Sequence, residues 1–236
     1  MKIELGISTG SSNYIIQKRI NKIEKYLSLN NKVILDLGCG NGNYSNYLAS
    51  KSKFVIGIDV EKNRLNLAKK SFDKHNLNFY LFDGNKIPFE SSFFDLIFMN
   101  EVLEHVNDES SILREIWRVL KKDGYLAIYV PNRKFPLEGH GMRIFNKKFN
   151  FPIPLLPWLP LYFHKFFFRA RTYSKNKLLF LLKSNNLDVE FIDYLYPPLD
   201  NINILFKKDL LILFNKLENS PFRSFGMSIL MLGRKK

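Results

Sequence analysis

The sequence predicts an α/β fold, a parallel sheet with helices on both faces, and three observations carry that prediction. Short apolar runs rich in β-branched residues alternate with longer amphipathic stretches through the first 130 residues. The first such run, Val33-Ile34-Leu35-Asp36-Leu37, passes directly into a turn with glycine at alternate positions, Gly38, Gly40 and Gly42. The second, Phe54-Val55-Ile56-Gly57-Ile58-Asp59, ends on a carboxylate. Parallel strands need a crossover of a dozen or more residues between them, which is what this alternation supplies.

Taken in order, residues 13–29 read as an amphipathic entry helix, with Tyr14, Ile15, Ile16, Ile20, Ile23, Tyr26 and Leu27 on its apolar positions. Strands are predicted at 33–37, 54–59, 78–82, 95–100 and 124–130, and helices between them at 43–50, 61–75 and 108–121. The rhythm breaks after Pro131 for about forty residues. It resumes with a helix near 174–185, a strand near 187–195, a helix near 207–218 and a last strand near 225–232. No internal repeat interrupts this order. A chain of 236 residues can bury one sizeable core, so a single domain with an insertion is expected. Its parts are an N-terminal helix (1–30), a core (31–132), a basic and aromatic lid (133–171) and the C-terminal part of the sheet (172–236).

Composition narrows the class. With 46% hydrophobic and 25% charged residues the chain is ordinary for a globular protein. One cysteine, Cys39, excludes an internal disulfide and points to a reducing compartment. The first residues lack an apolar core of signal-peptide length, and the longest uncharged run, 149–164, is too short and proline-broken to span a bilayer as a helix. A cytoplasmic enzyme is therefore expected. Charge is uneven: residues 1–130 carry a net +3 and residues 131–236 a net +11. The second half is the expected meeting place for an anionic partner, whether phospholipid surface, nucleic acid or phosphorylated substrate. A merely solvated lysine-rich surface remains the bland alternative.

Glycines after a first strand let the backbone approach a ligand closely, which marks a nucleotide-type cofactor loop. The spacing is G-x-G-x-G, with Asp36 two residues ahead, rather than the G-x-G-x-x-G of a nicotinamide fold. Asp59 is placed to accept both hydroxyls of a ribose. The stretch Phe82-Asp83-Gly84-Asn85-Lys86-Ile87-Pro88-Phe89 follows the third strand and can serve an adenine edge and face. All three segments fall at carboxyl ends of adjacent strands, where open α/β sheets bind ligands.

Five ordered motifs, D-L-G-C-G-N-G (36–42), G-I-D-V (57–60), D-G-N-K-I-P-F (83–89), F-D-L-I-F-M-N-E-V-L-E-H-V (94–106) and L-K-K-D-G-Y-L (120–126), resemble the class I S-adenosylmethionine-dependent methyltransferases over residues 30–132. The resemblance implies a Rossmann-like, seven-stranded, mostly parallel sheet whose last strand is antiparallel, with a lid inserted after strand five. It implies that Gly38, Gly40 and Gly42 face the methionine part of the cofactor and that Asp36 helps hold its amino group. Asp59 would bind the ribose, with Val60 packing on adenine. Asp83 would bind the adenine amino group, with Gly84 alongside, Ile87 covering the ring and Asn100 nearby. Cys39 would contribute backbone only.

The sulfonium of that cofactor is an activated donor, so alignment supplies much of the rate and the acceptor decides what else is needed. A hydroxyl calls for a base or a metal. In Asn100-Glu101-Val102-Leu103-Glu104-His105, a helical turn would bring Glu101, Glu104 and His105 to one face. His105 and Glu101 are the catalytic candidates. Glu101, Glu104 and His105, with His140 from Glu138-Gly139-His140-Gly141, are candidate ligands for magnesium or manganese. The segment E-x-x-E-H is similar to that of ubiquinone-pathway O-methyltransferases and small-RNA 2′-O-methyltransferases. The alternative is a histidine acting as base, or only as a structural hydrogen-bond partner. His75 reads as solvated and His164, in an aromatic run, as packed.

The interval 131–171 holds eight Lys/Arg against Glu138, together with proline-broken aromatics. Such a lid suits contact with anionic lipid headgroups, stacking on nucleic acid, or simple packing over the sheet. Two functions follow. One is O-methylation of a hydroxylated small molecule, lipid-linked or a saccharide, with peripheral contact at an anionic membrane. The other is ribose 2′-O-methylation of RNA, less favoured because no RNA-binding module stands beside the core. A non-catalytic cofactor-binding scaffold is disfavoured by the intact loop.

Overall fold

A computed structural model describes residues 12–138, 142–144, 147–149, 153–154, 171–197 and 207–236. The seven strands of the main sheet are β1 (Val33–Leu37), β2 (Phe54–Asp59), β3 (Leu77–Leu81), β4 (Phe94–Asn100), β5 (Leu120–Pro131), β6 (Leu187–Leu195) and β7 (Ser228–Lys235). The helices are α1 (Asn13–Glu24), α2 (Asn43–Ala49), α3 (Lys62–Ser71), α4 (Glu109–Val119), α5 (Lys175–Ser184) and α6 (Lys207–Glu218). Spatial order in the sheet is β6-β7-β5-β4-β1-β2-β3. Strands β1 to β5 pair in parallel, while β7 runs antiparallel to both of its neighbours, β5 and β6. This is the predicted seven-stranded sheet with one reversed strand, the last in the chain.

Side chains alternate across each strand and feed two cores. Leu35, Leu37, Ile56, Ile58, Ile97, Met99, Leu126 and Ile128 join Ile112, Leu113 and Ile116 of α4 and Leu178 and Leu182 of α5. Ile34, Val55, Leu96, Phe98 and Tyr129 join Ile15, Ile16, Ile20 and Ile23 of α1, Leu48 of α2 and Leu65 and Ala68 of α3. Helix α1 starts on a capping serine, Ser12, whose Oγ accepts the Ile15 N–H at 3.4 Å.

The three largest boundary differences from the sequence reading are these. Helix α1 ends at Glu24, with Lys25 as its cap, rather than at residue 29. Helix α3 stops at Ser71 because Phe72 is already extended, at φ −135°. Strand β5 begins at Leu120, directly after α4, with Asp123 in the left-handed region at φ 62° and a register shift opposite Phe94/Leu96. After β5, two short antiparallel ribbons pair 137–138 with 153–154 and 142–144 with 147–149. The remainder of the predicted lid, including His140 and His164, lies outside the described residues. Among the described residues no helix is long and apolar enough to cross a membrane.

Candidate active site

Strand parity places the polar groups. With Leu35 and Leu37 committed to the α4 and α5 side, Asp36 must face the layer of α1, α2 and α3. There its carboxylate, 2% exposed, accepts the Ser45 hydroxyl of α2 at 2.6 Å. Burial pushes the Asp36 carboxyl up from its ordinary 3.8 to about 7, offset in part by the Ser45 hydrogen bond. The same parity sends Asp59, Asn100 and Ser228 to that side of the sheet.

Asp59 organises the glycine turn. Its Oδ2 accepts the Gly40 N–H and its Oδ1 the Glu61 N–H, both at 2.8 Å. Gly38, Gly40 and Gly42 have φ of 79°, 54° and 80°, the left-handed region that favours glycine. Gly38 has a second reason: a Cβ there would strike the γ-methyls of Val102. The Gly38 and Cys39 amides both donate to the Ile58 carbonyl, at 2.8 and 3.0 Å, tying the turn to the end of β2. Burial raises the Cys39 thiol far above its ordinary range, which fits a backbone role and not a reactive one.

Beyond β3, Asp83 Oδ1 accepts the Asn85 and Lys86 amides at 2.8 and 3.1 Å. Those bonds hold its exposed carboxyl below the usual carboxylate range. Gly84 borders Val60, which is 43% exposed: a Cβ on Gly84 would lie 3.7 Å from Val60 Cγ1. Ile87 differs from expectation. Its side chain is fully enclosed in the core, so it supports the 83–89 stretch from beneath and offers no open face to a ring.

The segment after β4 is less helical than predicted. Glu101 is left-handed, at φ 53°, and only Leu103–His105 form a 3₁₀ turn. A left-handed glutamate is uncommon backbone, and such strain concentrates at functional positions. Glu104 is sealed from solvent, and neither of its carboxylate oxygens meets a donor among the described residues. Burial, then the adjacent Glu101, drives its carboxyl well above the ordinary range. His105 Nε2 stands 4.0 Å from Glu104 Oε1, beyond direct hydrogen-bond reach. Among the described residues no group of three or more His, Cys, Asp or Glu is arranged to hold a metal. His75 is exposed, as predicted.

Sequence reasoning missed Arg19. It lies on the buried face of α1 between Ile16 and Ile20, 5% exposed, with its guanidinium 4.8 Å from the Tyr129 ring centroid. It donates to Asn100 Oδ1, to Glu101 Oε1 at 3.0 Å and to Ser228 Oγ at 3.2 Å, while the Ser228 hydroxyl donates to Glu101 Oε1 at 2.7 Å. One arginine thus joins α1, the end of β4 and the start of β7 beside the acidic pair. Charged residues set among the isoleucines of that face, Arg19 and Lys22, were the available signal.

Comparison with known proteins agrees with this geometry. Residues 35–128 match the family model described as a methyltransferase domain. The chain is 29% identical over 178 residues to a ubiquinone biosynthesis O-methyltransferase of Pelagibacter ubique, covering 75% of this chain and 68% of that protein. It is 31% identical over 119 residues to the protein of the same name from Coxiella burnetii, covering 50% of this chain and 51% of that one. The chain thus spans about half the length of that second relative. A solved S-adenosylmethionine-dependent methyltransferase from Mesorhizobium loti shares the fold, with a TM-score of 0.66 at 16% identity over 93% of this chain and 98% of that one. The reversed seventh strand and the glycine turn closed by Asp59 accord with the matched methyltransferase domain. Over residues 35–128 the chain carries a methyltransferase domain, and it shares its fold with solved S-adenosylmethionine-dependent enzymes. Its residues fit S-adenosylmethionine: the turn is open at Gly40, where an added Cβ would meet nothing nearer than Arg64 Nη1 at 3.9 Å, and buried carboxylates stand toward the ends of β1 and β2.

Proposed function

We propose that this methyltransferase modifies a hydroxyl on a small molecule, lipid-linked or a saccharide. The observation that carries this reading is the acid and imidazole cluster, Glu101, Glu104 and His105, placed directly after β4 and packed through Val102 against the glycine turn. Relatives at about 30% identity bear the name of ubiquinone biosynthesis O-methyltransferases, which agrees with a hydroxyl acceptor.

The cofactor supplies an activated methyl group when bound. The chain's part is to hold and to deprotonate. Asp59 would take the ribose hydroxyls, Asp36 the amino group, and the main chain of Gly38, Gly40 and Gly42 the methionine portion. Val60 and Gly84 would flank adenine, with Asp83 at its amino edge and Asn100 at the end of β4. His105, beside Glu104, would receive the acceptor's proton.

Glu104 adds a second element. A buried Glu104 carboxyl beside Glu101, meeting no donor among the described residues, calls for a proton or a cation. Oxygen-rich donors suit magnesium or manganese, with His140 as the further ligand. Peripheral contact with an anionic membrane belongs to the same reading. Ile212 and Leu213 on α6, and Phe222 and Phe225 in the turn after it, are exposed, with Lys134 over the Phe225 ring at 5.7 Å and Arg223 between the two phenylalanines.

One labelling experiment addresses acceptor and metal together. Cell extract is incubated with the enzyme and labelled methyl donor, with and without chelator, then separated into lipid, saccharide and RNA fractions. Label is expected in a base-stable ether of the lipid or saccharide fraction, lost on chelation and restored by magnesium or manganese. Label in RNA would overturn the small-molecule reading. Full labelling after chelation would remove the metal and leave His105 alone as base.

Asp36 gives a test tied to pH. With a native value near 7 against 3.8 unfolded, the folded chain binds the more protons between those values, so stability declines as pH rises through that window. An ammonium arriving beside Asp36 favours its charged form. Cofactor binding at pH 7 should therefore release about half a proton, seen as buffer-dependent heat in calorimetry. At pH 9, or in Asp36→Asn, the release should vanish. Its persistence in Asp36→Asn would assign the proton elsewhere.

A further inference from the structure

The stretch 83–89, between β3 and β4, is gripped from one side by two residues of α4. Arg118 and Glu115, one turn apart, form a two-pronged pair: Arg118 Nε to Glu115 Oε1 at 2.8 Å and Nη2 to Oε2 at 2.7 Å. The pair then reaches out to main chain. Arg118 Nη1 donates to the Phe89 carbonyl at 2.8 Å and Nη2 to the Ile87 carbonyl at 2.9 Å. Glu115 Oε2 accepts the Ile87 N–H at 3.0 Å. Both polar groups of the Ile87 peptide unit are held, while its side chain is locked in the core beneath.

The grip sits one residue from the groups that aim Asp83. The Lys86 amide, adjacent to Ile87, is one of the two donors fixing Asp83 Oδ1, and the Asn85 amide is the other. A shift of the Ile87 peptide must pass to the Lys86 amide and so to the carboxylate. Because a guanidinium fork matches a carboxylate and two carbonyls in one plane, it constrains direction as well as distance.

We propose that Glu115 and Arg118 are positioning residues for the adenine end of the cofactor, holding Asp83 and Gly84 in the pose that reads the base. This rests on the reading of Asp83 as the partner of the adenine amino group. It adds that a pair on a helix outside the ligand site sets base selectivity.

The test measures binding of S-adenosylhomocysteine and of its inosine analogue, in which the amino group is replaced by a carbonyl oxygen. A site built to hydrogen-bond a donor rejects the analogue lacking it, so the wild type should prefer the adenosine compound at least about 10-fold. Asp83→Ala should abolish the preference. Arg118→Gln should cut it to about 2-fold while weakening the adenosine compound about 10-fold. If Arg118→Gln does not fold, Arg118→Lys, which keeps the charge and loses the fork, reads the same ratio. Equal weakening of both ligands would mean a merely structural grip and overturn the proposal, as would an unchanged ratio in a folded variant. A wild type without preference, unaffected by Asp83→Ala, would instead overturn the reading of Asp83, and the proposal with it.

Discussion

Asp59→Ala should weaken S-adenosylhomocysteine binding by about two orders of magnitude or more, with the protein still folded. The carboxylate, 6% exposed, does two things at once. It fixes the glycine turn through the Gly40 amide and the following segment through the Glu61 amide. It is also the group assigned to the ribose. Hydrogen bonds to a charged group contribute about 1.5–3 kcal/mol each, so loss of the turn's anchor and of one ribose contact gives about 3 kcal/mol or more. Asp59→Asn retains an acceptor and should lose less. Calorimetry with thermal unfolding as a control measures this, and unchanged affinity would remove Asp59 from the site.

The largest effect on turnover is expected at His105. Its ring is mostly covered, with the side chain 11% exposed, and it stands beside a Glu104 carboxyl that burial holds in its neutral form to higher pH. A general base contributes about 10²–10⁴ in rate, and His105→Ala should lower kcat by that range. Cofactor affinity should stay within about two-fold, since no cofactor contact is removed. A fall of kcat smaller than about three-fold would reduce His105 to a structural partner of the acidic turn.

Which parts were legible in the sequence follows from how far apart the interacting residues lie. The glycine turn, Asp59 and the 83–89 stretch each carry their signal in a few consecutive residues, so motif and period expose them. Their arrangement in one sheet follows from strand parity once the apolar positions are known. Arg19 could not be placed this way, because its partners Asn100, Glu101 and Ser228 are 81, 82 and 209 residues away. Glu101 was misjudged for a different reason. Glutamate carries no preference for positive φ, so the residue gives no warning that the chain leaves β4 through a left-handed step before the 3₁₀ turn. Ile87 reads from its motif, D-G-N-K-I-P-F, as a residue that faces the ligand. Only the packing shows that its side chain turns inward while its backbone is held by α4.

The sheet's spatial order carries a consequence for assembly. Strand β6 bonds to the rest of the sheet through β7, its neighbour in the order β6-β7-β5. A chain that has made β6 but not yet β7 therefore carries a strand with no slot to enter. The five parallel strands can zip together as a unit, whereas β6 and β7 must arrive as a pair. Ser228, at the start of β7, then closes onto Arg19 and Glu101, so the acidic turn gains its last tether in that late step. Such long sequence separations slow folding, and the half-built sheet would display its β5 edge meanwhile. Pulse-labelling exchange should therefore show amides of β1 and β4 protected before those of β6 and β7.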